Sequence, residues 1–214
     1  IVHVWHEDKG FRKSEILNKA ILKTNSDYLL FTDGDCIPRK DFVSIHLKNK
    51  EVNYFLSGGY FKLPMDVSKA VTDNDVETQN CFNVSWLKKQ GLNLNFKATK
   101  LTHNRYFAAF MNWLTPTKRT FNGHNTSCFK KDILAVNGFN EDMQYGGLDR
   151  EVGERMFNND LFSKQIRYSA ICIHLDHSRG YYSQEGWNKN LAIRAFNITN
   201  GVVKIKNGIE KLPY

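Results

Sequence analysis

A short apolar run that ends in two carboxylates places the strongest constraint on what this chain can fold into. Residues 28–32 read YLLFT, which is typical of a strand buried in a parallel sheet, and Asp33 and Asp35 follow directly. Open α/β sheets bind their ligands at the carboxyl ends of such strands. Two carboxylates this close are costly to bury without a cation, and Mg²⁺ or Mn²⁺ carrying phosphate oxygens would satisfy both. The same DGD sequence is common in tight turns, so the motif alone predicts either a turn or a metal site.

The pattern around this run predicts an α/β fold. Residues 1–5 (IVHVW) resemble a strand, and residues 12–23 carry apolar side chains at helical spacing before the strand at 28–32. This β-α-β order favours a right-handed crossover and a Rossmann-like, mostly parallel sheet flanked by helices. The remaining pattern predicts strands at 53–63, 126–129 and 166–174, and helices at 41–47, 77–89, 131–136, 149–158 and 184–198.

Residues 66–118 differ from the rest and are predicted to be a helical insertion that contains the acceptor region. The second half of this segment is rich in lysine, asparagine and aromatic residues. One interpretation is a mobile cover over the active site, in which Trp113 or Tyr106 offers a ring face to a substrate. The other is an insertion that buries its aromatic side chains in a local core, and for any single aromatic residue we favour this second interpretation.

Length and composition indicate one domain, residues 1–214. No apolar run approaches roughly 18 residues, and the start does not resemble a signal peptide. It is strand-like instead, which suggests that the numbered chain begins inside a domain. The four cysteines form no C-x-x-C pair, and we interpret them as reduced core thiols of a cytoplasmic protein.

The net charge of +8 favours anionic partners. Nucleotide phosphates fit this requirement, and the same charge would suit peripheral contact with the inner face of a membrane. A solvated surface with a lysine bias explains the charge equally well. Nucleic acid is not predicted as a partner, because no basic motif interleaved with aromatic residues is present.

Two further motifs carry groups that can do chemistry. Asp149 follows Gly146 and Gly147 at the start of a predicted helix, where the helix dipole stabilises an anion. Paired glycines leave room for a ligand, although Asp149 by itself could be an ordinary first-turn acid. His174 and His177 follow an apolar run, and their spacing lets one or both reach a metal. A pair of satisfied or exposed histidines fits the pattern equally well.

Taken in order, these motifs resemble one family over nearly the whole chain. The order is DGD, a G-x-N sequence at 123–125, NGFNEDM at 137–143, YGGLDREVGERM at 145–156 and HLDHSRG at 174–180. It resembles family 2 glycosyltransferases of the GT-A fold, and in particular the bacterial capsule and lipopolysaccharide sugar transferases with a galactosyltransferase-type C-terminal region. The resemblance implies a metal-dependent inverting transfer of a sugar from a nucleotide-diphosphate donor to a hydroxyl of a glycan or lipid-linked acceptor.

The resemblance also implies roles for individual residues. The DxD acids would hold Mn²⁺ or Mg²⁺ against the donor diphosphate, and they correspond to Asp33 and Asp35. Asp149 matches the catalytic base, and His177 matches the histidine that completes the metal site, with His174 as second choice. Positions near the donor sugar or the acceptor correspond to four further residues: Gly123, Asn125, Gly146 and Gly147.

The chain departs from the family pattern at three points. Tyr145 replaces a tryptophan, and Leu148 replaces a glutamate that helps to hold the acceptor in relatives. The first strands of the family fold, with their contacts to the nucleotide base, would lie before Ile1. These departures favour an alternative, a non-catalytic nucleotide-sugar or glycan-binding protein derived from a transferase. A metal-dependent phosphohydrolase is a third interpretation. For the transferase mechanism, Arg179 is a candidate assisting group.

Overall fold

The computed structural model describes residues 1–93, 95–118, 120–178 and 180–213. Within these residues the chain forms small mixed sheets flanked by helices, so the predicted α/β class is confirmed. The strands are β1 Tyr28–Phe31, β2 Cys36–Pro38, β3 Tyr54–Ser57, β4 Gly59–Lys62, β5 Thr126–Phe129, β6 Phe162–Gln165 and β7 Ile171–His174. The helices are α1 Lys13–Lys23, α2 Phe42–Asn49, α3 Met65–Ala70, α4 Asp73–Glu77, α5 Val84–Lys89, α6 Arg105–Leu114, α7 Lys130–Ala135, α8 Leu148–Asn158 and α9 Gln184–Thr199.

The strands form two sheets in which antiparallel pairing is the commoner arrangement. The first sheet has the order β1-β5-β3-β6 and the second the order β2-β7-β4. Only β3/β6 and β4/β7 are parallel among the described strands, while β1/β5, β3/β5 and β2/β7 are antiparallel. The expectation of a mostly parallel sheet is therefore wrong. It rested on a first strand at residues 1–5, but residues 1–9 form neither helix nor strand and Trp5 is 71% exposed.

The predicted strand at 53–63 is in fact two strands that belong to different sheets. The chain leaves the first sheet after Ser57 and enters the second at Gly59. Gly58 lies at the switch, and a Cβ atom there would be 1.9 Å from Oδ1 of Asn125. Only glycine fits so close to another side chain, so Gly58 allows the two sheets to approach each other.

A buried hydrogen-bond network joins the sheets at this switch. The Asn125 amide nitrogen donates to the carbonyl oxygens of Gly59 at 2.6 Å and Ala170 at 3.1 Å. Its oxygen lies 2.8 Å from Nε2 of His46, and Nδ1 of His46 lies 2.7 Å from the hydroxyl of Ser127. The network thus connects α2 and β5 with β4 and the start of β7.

Residues 66–118 contain both a buried half and an exposed half. The first half packs on the second sheet through apolar residues that include Val67, Phe82 and Leu87, and Leu101 of the second half joins the same cluster. The helix predicted at 77–89 is interrupted, because α4 and α5 are separated by a 3-10 turn at Asn80–Phe82. The second half contradicts the expectation of buried aromatics, since its aromatic residues are exposed: Phe96, Tyr106, Phe107, Phe110 and Trp113. Among the described residues, no helix combines the length and the apolar character needed to cross a bilayer.

A buried ion pair fixes helix α8. Arg155 and Glu151 are fully buried, with Nε and Oε1 2.8 Å apart. Asn197 of α9 donates to the same carboxylate at 2.7 Å, and the guanidinium donates to the carbonyl of Gly138 at 2.6 Å. Since a buried charge without its partner is costly, this network holds the position of the first turn of α8, which carries Asp149.

Candidate active site

The DGD motif is the connection between the two sheets. Strand β1 of the first sheet ends at Phe31, and β2 of the second sheet begins at Cys36. The amide of Cys36 donates to the carbonyl of Asp33 at 3.1 Å, which closes a turn, and Leu175 donates to the carbonyl of Asp35 at 2.9 Å. The motif is thus a turn, as one interpretation of the sequence predicted, and it also brings Asp35 beside the segment that follows β7.

Asp35 faces both of the predicted histidines. Its Oδ2 lies 3.0 Å from Nε2 of His177 and 3.5 Å from Nε2 of His174. Cys36 and His174 pair across β2 and β7, so the antiparallel register determines this approach. Asp35, Cys36 and His174 each offer a ligand atom within 4.8 Å of the other two.

The hydrogen bonds of the two histidines make this cluster suitable for a cation. Nδ1 of His174 lies 2.8 Å from the carbonyl oxygen of Leu175, and Nδ1 of His177 lies 2.6 Å from that of Ser178. A carbonyl oxygen only accepts, so each Nδ1 donates, and in the neutral imidazole each Nε2 presents a lone pair towards the Asp35 carboxylate. Acceptors facing each other at this distance need a proton or a cation between them. Ligand atoms about 2.1 Å from a metal at right angles are about 3 Å apart, so Asp35 together with either histidine fits a divalent ion. His177 is not part of the group whose ligand atoms all lie within 4.8 Å of one another.

Asp33 has a different partner from Asp35. Its Oδ1 lies 2.5 Å from Nζ of Lys13, in the first turn of α1. The two acids of the motif are therefore separated in this structure, one beside a lysine and the other beside two histidines. The role of Asp33 as a metal ligand stays a prediction. Cys36, although close, is a poor anionic ligand, since its hydrogen bond with Cys172 and its burial raise the pKa of its thiol well above the usual range.

Asp149 lies in the first turn of α8, after a left-handed backbone at Gly147. Its Oδ2 accepts a hydrogen bond from the amide of Gly123 at 3.0 Å, and its Oδ1 accepts one from the amide of Arg150 at 2.9 Å. Two amide donors and the helix N-terminus stabilise a negative charge here. Each oxygen accepts one of these two hydrogen bonds and keeps capacity for a hydroxyl proton, because a carboxylate oxygen has two lone pairs.

The charges of these three acids act on His124, a residue that the sequence analysis did not single out. Burial lowers the pKa of its imidazole, and Asp33, Asp149 and Asp35 oppose that change by their negative charge. All three carboxylates therefore lie close enough to act on one side chain. The ring also contacts Tyr60 and His174, with centroids 4.7 Å and 6.0 Å away. Nε2 of His124 is buried and lacks a hydrogen-bond partner among the described residues.

His124 lies within a motif that the sequence analysis did identify. It occupies the variable position of the G-x-N sequence, between Gly123 and Asn125. A turn has no periodicity from which to infer the direction of a side chain, so the pattern did not distinguish the residue that faces the site from the one that faces the core.

Asn125 is that core residue. It is fully buried, and its side-chain oxygen and nitrogen are both occupied by protein partners in the network at the sheet switch. Its predicted contact with the donor stays untested, while its position indicates a structural role. Arg179, the candidate assisting group, lies outside the described residues.

The paired glycines lie close to helix α9. Gly146 has a φ of +102°, and a Cβ atom there would be 2.7 Å from the ring of Trp187. Gly147 has a φ of +77°, and a Cβ atom there would be 3.5 Å from the side chain of Arg194. Asn190 donates to the carbonyl of Gly146 at 2.7 Å. Helix α9 thus occupies at least part of the space beside the two glycines. A contact of these glycines with donor or acceptor stays a prediction.

A cavity of about 500 Å³ adjoins the histidine cluster. Tyr60 lines the cavity and also contacts the rings of His124 and His174. Asp176, which lies between His174 and His177 in the chain, lines the cavity as well. Its polar lining consists of lysines and asparagines together with that acid: Lys62, Asn93, Asn95, Lys97, Lys100 and Asp176. A second cavity, of about 460 Å³, is lined by other residues, among them Tyr54, Asn112 and Gln165, and contains none of the site residues described above.

Comparisons with known proteins support the fold. No protein-family model and no curated protein matches the sequence. Among solved structures, the chain is similar to the mannosyltransferase PcManGT from Pyrobaculum calidifontis in complex with GDP-Man and Mn²⁺, with a TM-score of 0.51 and 16% identity. The match covers 91% of this chain and 45% of that one, so the chain spans about half the length of that transferase. The likeness, together with the mixed sheets, shows an α/β fold of the Rossmann-like GT-A type.

Proposed function

We propose that this chain is a metal-dependent inverting glycosyltransferase of the family 2 type, which moves a sugar from a nucleotide-diphosphate donor to a hydroxyl of a glycan or glycolipid acceptor. The observation that carries the proposal is the approach of Asp35 to the Nε2 atoms of His174 and His177, whose Nδ1 atoms are already occupied. The likeness to a transferase solved with GDP-Man and Mn²⁺ supports the same assignment. Synthesis of a bacterial surface polysaccharide is the process that the sequence resemblance favours.

The donor would bind through its diphosphate. Asp35, with His177 or His174, would hold Mn²⁺ or Mg²⁺, which supplies positive charge to the leaving diphosphate when it is bound. Lys13, on the other side of the turn, adds a fixed positive charge beside Asp33. His124 offers a buried nitrogen that has no hydrogen-bond partner among the described residues, which suits a hydrogen bond to the donor.

Asp149 would act as the general base. The amides of Gly123 and Arg150 orient its carboxylate and leave lone pairs for the proton of the acceptor hydroxyl. A positioned base of this kind contributes about 10²–10⁴-fold to the rate. Attack from the face opposite the diphosphate then inverts the anomeric carbon, and Asp149 receives the hydroxyl proton.

The acceptor would enter through the cavity beside Tyr60. This cavity adjoins the histidine cluster, and its asparagine and lysine side chains are donors suited to sugar hydroxyls and anionic substituents. Leu148, which replaces the acceptor-binding glutamate of the resembled family, is buried, so the acceptor would be held elsewhere.

The test is to incubate the protein with a panel of nucleotide-sugars, with and without Mn²⁺, and to measure released nucleotide diphosphate. Release that needs the metal and is stimulated by an oligosaccharide acceptor supports the proposal. Metal-dependent binding without turnover would support a non-catalytic binding protein, and release of inorganic phosphate would support a phosphohydrolase.

A further inference from the structure

Helix α6 turns its apolar side towards solvent. Trp113 is 80% exposed, Tyr106 72% and Phe110 51%, and these residues recur at a spacing that places them on one side of the helix. Phe107 and Leu114 extend the same surface. We call the exposed side chains of Tyr106, Phe107, Phe110, Trp113 and Leu114 the α6 face. Large contiguous apolar patches on a soluble domain mark interaction sites.

The opposite side of α6 is firmly attached to the domain. Ala108 and Met111 are buried against Tyr168. The side chain of Asn112 accepts a hydrogen bond from the amide of Tyr168 at 2.9 Å and donates to the hydroxyl of Ser169 at 2.9 Å. The helix therefore cannot rotate its aromatic side chains into the core without breaking these contacts.

The start of the helix is fixed as well. The side chain of Asn104 accepts hydrogen bonds from the amides of Tyr106 at 3.0 Å and Phe107 at 3.1 Å, which is the N-cap arrangement. The α6 face is therefore a stable feature of the surface, and its exposure needs a partner to explain it.

The sequence around α6 carries positive charge and contains no acid. From Thr78 to Lys131 there is no aspartate or glutamate, and the stretch holds nine basic residues: Lys88, Lys89, Lys97, Lys100, Arg105, Lys118, Arg119, Lys130 and Lys131. Lys97, Arg105 and Lys118 flank the helix and are exposed. Glu51 lines a cavity together with Trp113, but it forms an ion pair with Lys164 at 3.1 Å. An apolar face flanked by exposed positive charge is complementary to an anionic surface that has an apolar interior.

We propose that the α6 face binds the surface of a lipid bilayer that contains anionic lipids. Tryptophan and tyrosine favour the level of the headgroups, where the ring is buried and the polar tip stays hydrated. Lysines and arginine beside them attract the anionic headgroups. A second copy of this chain is a poor occupant, because two surfaces with exposed basic residues would face each other.

The face is linked to the cavity beside the histidine cluster. The 3-10 turn Phe96–Leu101, which precedes α6, contributes Lys97 and Lys100 to the cavity, and Lys100 lies 3.4 Å from the carbonyl oxygen of Tyr60. A bilayer on the α6 face would present the headgroup of a lipid-linked acceptor to this cavity. That last step rests on the proposed function, whereas membrane binding itself does not.

Sedimentation with vesicles tests the proposal. The protein is mixed with vesicles of phosphatidylcholine alone and with vesicles that also contain phosphatidylglycerol, and the bound fraction is measured at low and high salt. We expect binding to the anionic vesicles that weakens with salt, and a loss of about tenfold or more in the double variant Phe110→Ser/Trp113→Ser. Phe196→Ser, which removes a 62% exposed aromatic residue from α9, is the matched control and should bind normally.

Three results would overturn the proposal. They are absence of binding to the anionic vesicles, equal binding by the double variant and the unaltered chain, and a dimer in sedimentation velocity that the double variant abolishes. Thermal unfolding of each variant shows that the fold is retained. Since vesicle binding is read without any sugar donor, its failure and the failure of transferase activity are separate outcomes.

Discussion

Nε2 of His177 lies 3.0 Å from Oδ2 of Asp35, while the backbone carbonyl of Ser178 occupies the other nitrogen of the same ring. The ring thus turns its second nitrogen towards a carboxylate. Asp33, two residues before Asp35, has Nζ of Lys13 at 2.5 Å instead. The two acids of the DGD motif therefore have different partners, although the motif alone does not distinguish them.

Asp35 should therefore matter more for metal binding than Asp33. We expect Asp35→Asn and His177→Ala each to weaken Mn²⁺ binding in the presence of a nucleoside diphosphate by about tenfold or more, since each removes a direct ligand. Asp33→Asn should have a smaller effect, because Lys13 already neutralises that carboxylate. Isothermal titration calorimetry measures the three affinities. A larger loss in Asp33→Asn than in Asp35→Asn would contradict the assignment.

Replacement of Asp149 should separate binding from chemistry. In Asp149→Asn the side chain keeps an oxygen that accepts the Gly123 amide, but it cannot take a proton. We expect kcat to fall by about 10²–10⁴-fold with little change in metal-dependent donor affinity. Asp66→Asn is the matched control, as Asp66 is an exposed acid in the first turn of α3. Near-normal turnover by Asp149→Asn would refute its role as base.

His124 should contribute to donor binding without supporting the fold. Its Nε2 makes no hydrogen bond to the described residues, so His124→Phe leaves no new unsatisfied group there and keeps a ring beside Tyr60. We expect the free energy of unfolding to change by less than about 1 kcal/mol. Donor affinity should fall by about tenfold or more, the equivalent of one hydrogen bond to a charged group. Titration with donor and urea unfolding together check this, and unchanged donor affinity would exclude the contact.

The sequence predicted most of the elements that carry the site. Strand β1 ahead of the DGD turn and helix α8 behind Asp149 lie within a few residues of their predicted positions, since both have strong apolar periodicity and clear boundaries. The order of strands in space was not predictable in the same way. Pairing depends on contacts between distant segments, and residues 1–5 resemble a strand by composition although they find no partner strand in the structure.

The expectation of buried aromatic residues around α6 was also wrong, for a physical reason. The sequence analysis favoured an insertion at residues 66–118 that buries its aromatic side chains in a local core, since apolar residues on a helix normally face the core. Here the contact with the domain is made by the smaller Ala108 and by Met111, and the larger rings remain outside. Periodicity identifies an amphipathic helix, but it does not reveal which of its sides meets the rest of the domain.

Asn125 should be needed for folding. Asn125→Ala would leave Nε2 of His46 buried without its partner, and it would remove the side-chain hydrogen bonds to the carbonyls of Gly59 and Ala170. Because a buried group without a partner costs about 1–3 kcal/mol and each lost hydrogen bond about 1 kcal/mol, we expect a loss of about 3 kcal/mol in the free energy of unfolding. Urea unfolding followed by circular dichroism measures it. If stability is unchanged and donor affinity is lost instead, Asn125 contacts the donor as the sequence resemblance implied.

The imidazole of His46 should make stability fall with acid. Burial lowers its pKa from an ordinary value of 6.5 to about 4, although the hydrogen bond with Asn125 partly opposes this change. The folded state therefore holds His46 neutral, while the unfolded chain takes up a proton below about pH 6.5. Its contribution to stability is fully present above that pH, declines as the pH falls towards 4, and amounts to about 3 kcal/mol. Carboxylates also titrate in this range, so the measurement is the difference between the unaltered chain and His46→Gln in urea unfolding at pH 7, 5.5 and 4.5. The unaltered chain should lose more stability than the variant on acidification, and parallel losses would show that His46 is not held neutral by its burial.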